Sequence, residues 1–428
     1  MLIEFKTKNF ASFKNEVVLS MVASSITENE TNCFRQGETL TLLKSAAIYG
    51  ANSSGKSNLI KALGFMRQFV IDSSKEGQAG DLISVDPFRL SQETEEEPSS
   101  FEVTFVQQGI PFRYGFSANR SHITEEWLFY TPAVKEIALF ERYANKIKIH
   151  PKKFKEGQYL NNEDHETSRT RNNALFLSVV AQFDGEISKQ VIEWFRMLAI
   201  ISGSDDHVYR KFSGKKLLNE IHNKKVVNLL KSVGLNIESL TYEFILDIPP
   251  DNLKKLLKAE TKFVTDKLFV GKKKYDSYGQ EGGLVSWDVA RESKGTQKII
   301  NLSGPLFDVL ENSRILIVDE FDARLHPLMT KALISLFHSP ETNPGKAQFI
   351  FATHDTNLLS SELFRRDQIW FTEKDQSDST DLYSLAEYKL EGNQSVRKDA
   401  SYEKNYIAGK YGAIPYINIE NLKRLLAQ

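Results

Sequence analysis

The sequence predicts an α/β fold: a phosphate-loop sheet with flanking helices and an N-terminal antiparallel β part, interrupted by a mainly helical insertion. Three observations predict it. Gly50-Ala51-Asn52-Ser53-Ser54-Gly55-Lys56-Ser57 follows a short apolar run and precedes a helix-like one. Two further apolar runs, Ile315 to Val318 and Phe349 to Ala352, end in the polar tips Asp319-Glu320 and Thr353-His354-Asp355. Near the N-terminus, Leu2-Ile3-Glu4-Phe5-Lys6 alternates apolar and polar residues, the period of a half-buried strand.

Along the chain, Leu2 to Lys6 and Val17-Val18-Leu19 form a hairpin around the turn Asn9 to Phe13. Ser45-Ala46-Ala47-Ile48-Tyr49 is a strand ending at Gly50. After the loop, Leu59, Ile60, Leu63, Met66, Phe69 and Val70 fall at helical spacing. Ser91 to Ser100 is a polar acidic loop. Phe101 to Val106 and Phe112 to Phe116 alternate around Gln107-Gln108-Gly109, a strand pair with a tight connection. From 134 to 283 the chain turns Lys- and Asn-rich around helical patterns, notably Leu217, Leu218, Ile221, Val226, Leu229, Leu230 and Val233. The expected division is therefore a head made of 1–133 and 284–428, with 134–283 inserted.

Composition narrows the function. The 428 residues suffice for two to three domains of about 150 residues. With 41% hydrophobic residues, 28 Phe and 15 Tyr, the chain can bury real cores, which excludes global disorder. The 55 basic and 56 acidic side chains leave a net charge of -1. That excludes a surface coated for general nucleic-acid binding but leaves room for a local basic patch. Cys33 stands alone, so an internal disulfide and a Cys-rich zinc site are excluded. No stretch approaches the roughly 18 apolar residues of a membrane span, and the N-terminus lacks a signal-peptide core. A cytoplasmic protein with no membrane contact is expected.

Gly50 to Ser57 fits the phosphate-binding pattern G-x-x-x-x-G-K-[ST]. Its glycines let the backbone turn so that successive N–H groups face phosphate oxygens. The helix that follows adds its N-terminal partial charge to the same anion. The nucleotide-contacting set is then Gly50, Asn52, Ser53, Ser54, Gly55, Lys56, Ser57 and Asn58. Within it, Lys56 reaches the β- and γ-phosphates and Ser57 ligates Mg2+. A random chain of this length holds such a pattern about 2% of the time at average residue usage, so the match is informative. The first acid-tipped strand puts carboxylates at the C-terminal edge of a buried parallel sheet, where ligands of open α/β sheets bind. Asp319 is expected in the Mg2+ shell. Glu320 is expected to activate water as a general base, a role worth roughly 10²- to 10⁴-fold. His354 at the next strand edge is placed to contact a γ-phosphate or orient that water. Alone, either tip reads as an ordinary strand end; the phosphate loop upstream raises the first, and its position shortly after that acid-tipped strand raises His354.

Together these motifs resemble the ABC-type ATPase head shared by chromosome-maintenance SMC proteins, the recombination mediator RecF and overcoming-lysogenisation-defect (OLD) nucleases. Glu292-Ser293-Lys294-Gly295-Thr296-Gln297-Lys298 stands where those families carry a signature loop, Leu-Ser-Gly-Gly-Gln or a variant. Phe321-Asp322-Ala323-Arg324-Leu325-His326-Pro327 resembles the segment that crosses their dimer interface. Within that group the chain resembles the AAA-15/AAA-21 ATPases of bacterial phage-defence and abortive-infection loci, through Val85 to Leu90 and Tyr406 to Pro415. The resemblance spans roughly 1–130 and 284–417. Two departures stand out: Lys294 and Thr296 replace glycines of the better-known signature, and Gln92 and Gln107 compete for the Q-loop position. The resemblance implies ATP and Mg2+ as cofactors and hydrolysis to ADP and phosphate. It also implies a homodimer or higher homo-oligomer in which Ser293 and Gly295 bind the γ-phosphate held by the partner.

Three functions follow. The first is an ATP switch in anti-phage defence that controls a separately encoded effector, a nuclease or toxin from the same operon. The chain ends soon after Pro415, short of the C-terminal Toprim nuclease of OLD-type proteins. The second is a DNA-repair or chromosome-associated RecF/SMC-like ATPase with no toxic partner. The third is a small-molecule P-loop kinase, against which Glu320 and His354 speak. DNA contact stays open. Lys254, Lys255, Lys258, Lys262, Lys267 and Lys272 to Lys274 can meet phosphate backbones or form a solvated helix face. Tyr402, Tyr406, Tyr411 and Tyr416 can stack bases or pack onto the head.

Overall fold

The computed structural model describes residues 1–161, 168–205, 207–247, 263–390, 394–415 and 419–426. Leu2–Lys8 and Val17–Ser20 pair antiparallel, as their alternation predicts. Ser99–Gln107 and Ile110–Ala118 pair through Gln108-Gly109, at φ of 50° and 81°, the left-handed pair that a tight hairpin turn needs. These strands belong to a seven-stranded antiparallel sheet. Its order is Lys146–Ile149, Ile137–Tyr143, Ile123–Tyr130, Ile110–Ala118, Ser99–Gln107, Leu2–Lys8, Val17–Ser20. Phe5, Phe101, Phe105, Tyr114 and Phe116 bury its inner face.

The second sheet has six strands, ordered Leu198–Ser202, Ile315–Asp319, Gln348–Ala352, Ser45–Tyr49, Ile369–Lys374, Thr380–Ser384. All but the last run parallel. Ser45–Tyr49 and Gln348–Ala352 are buried at every position, as strands covered on both faces must be. The Lys56–Asp72 helix fills the space between the sheets. Its Leu59, Leu63, Met66 and Val70 share one core with Phe101 and Phe116 of the first sheet and Ile48, Ile317 and Ile350 of the second. Each such buried side chain contributes about 1.5–3 kcal/mol. On the far face, the helices Lys294–Glu311 and Pro327–His338 pack Leu306, Val309, Ile334 and Phe337 against Val318, Phe349 and Phe351. Alternate residues of each parallel strand therefore serve two different cores.

Among the described residues, segment 134–283 mixes strands with helices and is not the expected mainly helical insertion. Ile137–Tyr143 and Lys146–Ile149 extend the antiparallel sheet, and Leu198–Ser202 forms the edge of the parallel one. Ser239–Asp247, Phe263–Tyr275 and Glu281–Asp288 make a separate antiparallel sheet. Helices Phe176–Gln182, Glu186–Arg196, His207–Leu217 and Glu220–Ser232 account for the helical patterns. The physical reason is local. Leu198-Ala199-Ile200-Ile201 is too short to be told from a buried helix turn by periodicity. In Lys267-Leu268-Phe269-Val270, the apolar Phe269 at an outward position hides the alternation that buries Leu268 and Val270.

Ser91 to Ser100 contains a short helix, Gln92–Glu96, with Asn9 Nδ2 donating to the Thr94 and Glu97 carbonyls at 2.8 and 2.9 Å. Tyr402, Tyr406 and Tyr411 are buried, and Tyr406 stacks on Phe371 at 5.3 Å, so the tail packs onto the head. Tyr416, Lys254, Lys255, Lys258 and Lys262 lie outside the described residues. Among the described residues, no helix is long and apolar enough to cross a membrane.

Candidate nucleotide-binding site

The loop between Ser45–Tyr49 and Lys56–Asp72 takes its shape from Gly50, Ser53 and Gly55, at φ of 153°, 63° and 113°. A Cβ on Gly50 would lie 2.5 Å from the Thr372 carbonyl oxygen, and one on Gly55 2.5 Å from Thr380 Oγ1. Close approach and backbone sign both demand glycine here. The neighbouring strands brace the loop. Ser54 Oγ and Thr372 Oγ1 share a hydrogen bond of 2.6 Å, and Thr380 Oγ1 donates to the Ser54 carbonyl at 2.9 Å. Asn58 Nδ2 donates to Ser12 Oγ at 2.9 Å, tying the helix start to the N-terminal turn.

Lys56 is buried, and its Nζ donates to the Gly50 and Ala51 carbonyls at 2.8 and 2.9 Å. Burial pushes its ammonium down to about 8, while Asp319, Asp322 and Glu320 pull it up. Those carboxylates are therefore near enough to act on it. Asp319 closes the Ile315–Asp319 strand, and its Oδ1 is buried without a hydrogen bond. Buried polar atoms are normally paired; an unpaired carboxylate oxygen suits the shell of a hard cation. Glu320 follows at φ 50°, a left-handed turn that costs a non-glycine residue roughly 1–2 kcal/mol. Phe321 N pins that turn by donating to the Ala352 carbonyl at 3.0 Å. His354 N donates to Asp322 Oδ1 at 3.3 Å. Partial burial and the Lys56 charge hold the His354 imidazole below its ordinary value, against Asp322, Glu320 and Asp319.

One cleft of about 560 Å3 gathers loop residues Asn52 to Asn58 with Asp319, Glu320 and His354. Ligand pockets span roughly 300–1,000 Å3. Gly50 lies buried behind it. Ser12, Thr353 and Lys374 line the same cleft; Thr353 belongs to the polar tip that the sequence singles out, whereas sequence reasoning does not find Ser12 or Lys374. Ser12 and Lys374 arrive from the first sheet's turn and the Ile369–Lys374 strand, contacts that no local pattern encodes. Gln92 and Gln107 do not line it. A glycine-shaped loop at a helix start, an ammonium, a hydroxyl and an unbonded carboxylate oxygen fit a nucleotide with a divalent cation. Among the described residues, no group of three or more His, Cys, Asp or Glu could hold a metal by itself. Mg2+ needs none, since it binds through one or two protein ligands plus substrate phosphates.

The signature residues stand elsewhere. Ser293 caps the Lys294–Glu311 helix, its Oγ accepting from Thr296 N at 3.1 Å. Ser293 is exposed, Gly295 is half-buried, and neither lines the cleft. A Cβ on Gly295 would lie 2.6 Å from the Arg324 carbonyl oxygen, so only glycine lets the helix start pass the turn after Glu320. Behind the loop, Glu292 accepts from Trp287 Nε1 at 2.9 Å and from Lys272 Nζ at 3.0 Å.

An SMC head domain from Thermotoga maritima matches with 13% identity and a TM-score of 0.39, covering 90% of this chain and 98% of that one. An SMC head bound to the C-terminal winged-helix domain of ScpA matches with 12% identity and a TM-score of 0.37, covering 90% and 97%. No curated protein matches by sequence. The AAA_21 family model, described as "AAA domain, putative AbiEii toxin, Type IV TA system", matches residues 45–360. That span runs from the strand before the phosphate loop to just past His354, and the chain belongs to the AAA_21 family of ATPase domains.

Proposed function

We propose that the chain is an ATP-hydrolysing switch whose heads close in pairs around nucleotide. The convergence of Lys56, Asp319, Glu320 and His354 on the phosphate-loop cleft, with Asp319 Oδ1 left unbonded, carries this proposal. The loop amides and the start of the Lys56–Asp72 helix bind the phosphate tail. Lys56 exchanges its two carbonyl acceptors for β- and γ-phosphate oxygens. Ser57 and Asp319 are the residues that would hold Mg2+, which when bound supplies charge neutralisation across the phosphates. The Glu320 carboxylate takes the proton of the attacking water, and His354 orients that water or meets the γ-phosphate. Ser293 and Gly295, outside their own cleft, donate to the γ-phosphate held by a second copy. Heads joined this way part when hydrolysis removes the shared phosphate.

In this proposal the head comprises 1–133 and 284–428, and Leu198–Ser202 from the intervening segment completes its sheet. The family description names a toxin of a type IV toxin–antitoxin system. That name supports a defence role; the cytoplasmic location and an effector from the same operon that the switch holds or releases are part of the proposal. Light scattering and ATP turnover of Glu320→Gln test the core of it. A mass that doubles with Mg-ATP while turnover is lost supports the switch. Unchanged mass with turnover at the parent's rate would sink both the sandwich and the general base.

A further inference from the structure

Lys298 lies in the second turn of the Lys294–Glu311 helix and is fully buried. Its Nζ donates to three carbonyls: Glu320 at 3.3 Å, Phe321 at 2.9 Å and Ala323 at 2.7 Å. None of the chemistry proposed above uses it. Stripping water from an ammonium costs several kcal/mol, a cost that a methionine filling the same space would not carry. What the charge holds is therefore informative.

It holds a strained turn. Glu320 and Arg324 both sit at positive φ, 50° and 67°, so the chain reverses twice within a few residues. Those reversals aim three carbonyl dipoles at one point, where they repel one another. An ammonium brings three N–H donors and no acceptor, which answers that convergence. Other contacts grip the same turn. Gly203 N donates to the Asp319 carbonyl at 2.7 Å, and Gly295 leaves room for the Arg324 carbonyl. Of these grips, Lys298 is the charged one, and it bonds to the Glu320 peptide itself.

We infer that Lys298 is a positioning residue that fixes the Glu320 peptide so that the carboxylate stays aligned over the cleft. Lys298 and Ser293 share one helix start, so a second copy that engages Ser293 also sets the general base through Lys298. This rests on the Glu320 assignment proposed above, and it goes beyond that assignment by making turnover depend on the partner head through one buried cation.

The test uses the full chain with Lys298→Met and Lys298→Arg, measuring kcat, equilibrium ATP affinity and Mg-ATP-dependent mass. Lys298→Met is expected to lose about 100-fold in kcat, the scale of a misaligned catalytic group, with affinity and mass behaviour close to the parent's. Lys298→Arg keeps donors and charge and is expected to recover about tenfold of that loss. If Lys298→Met does not fold, Lys298→Arg decides alone: a bulkier head lowers kcat severalfold at unchanged affinity. A parental kcat in both variants overturns the inference, and so does a matched loss of kcat and affinity. With Glu320→Gln inactive, such results remove the role of Lys298 alone. Glu320→Gln at the parent's rate, or a parent that does not turn over ATP, removes the general base and this inference together.

Discussion

Around Lys56 a single chain brings an ammonium, two carboxylates and an imidazole into one cleft, whereas at Ser293 it offers solvent a hydroxyl and a helix start. The cleft is over-determined: glycines at positive φ, hydroxyl braces from two strands, and a buried lysine fix its shape. The signature loop is braced from behind, where Glu292 grips Lys272 and Trp287 and Gln297 Nε2 donates to the Glu292 carbonyl at 2.7 Å. Rigid surroundings make sense where phosphates must be bound by one chain. A loop backed on one side makes sense where the other half of the site comes from elsewhere. Binding and turnover should therefore separate under mutation.

The largest effect tests the cleft. Lys56→Ala removes the charged donor and is expected to weaken ATP binding about 10²- to 10³-fold, the worth of two charge-assisted hydrogen bonds; calorimetric titration measures it. Turnover should vanish with it. Glu320→Gln keeps the shape and removes the base, so kcat should fall about 10²- to 10³-fold while ATP affinity holds or tightens. A Glu320→Gln chain that hydrolyses ATP normally would break the cleft side of the comparison.

The signature side breaks differently. Ser293→Arg places a long cation at an exposed helix cap. ATP affinity of the single head should stay within about twofold, since the residue lies outside the cleft and the lost cap costs only about 1 kcal/mol of local stability. The rise in mass with Mg-ATP, and the turnover that depends on protein concentration, should disappear. Retained assembly in Ser293→Arg would show that heads associate through another surface.

Much of the cleft was legible in the sequence because its parts are contiguous. Gly50 to Ser57 carries its own turn chemistry, and Ile315 to Glu320 shows burial and polar tip in one run. Legibility fails where contacts join distant segments. Leu198–Ser202 is four apolar residues and a serine, and only pairing with Ile315–Asp319 makes it a strand. Ser12 enters the cleft because Thr380 N bonds its carbonyl at 2.8 Å, a link across most of the chain. Lys298 reads as one more polar residue of a helix until the turn it holds is folded against it. Periodicity reports burial on one element; it does not report which neighbour supplies the burial.

The smallest expected effect comes from pH and separates Lys56 from general alkaline loosening. Burial lowers its ammonium to about 8, and a phosphate tail requires the charged form. ATP affinity at constant ionic strength should therefore fall as pH rises past about 8, by about tenfold per unit. Ser293→Arg should keep that slope, and Lys56→Ala should flatten it. Folding stability runs the other way. Between about 8 and the 10.5 of a free lysine, the unfolded chain holds a proton at this position that the native chain has released. A state that binds more protons loses ground as pH rises, so the cost of burying the Lys56 charge is relieved and native stability rises across that window. Thermal denaturation of the parent against Lys56→Ala isolates this contribution. A loosening cleft would lower affinity and stability together, whereas titration of Lys56 moves them in opposite directions.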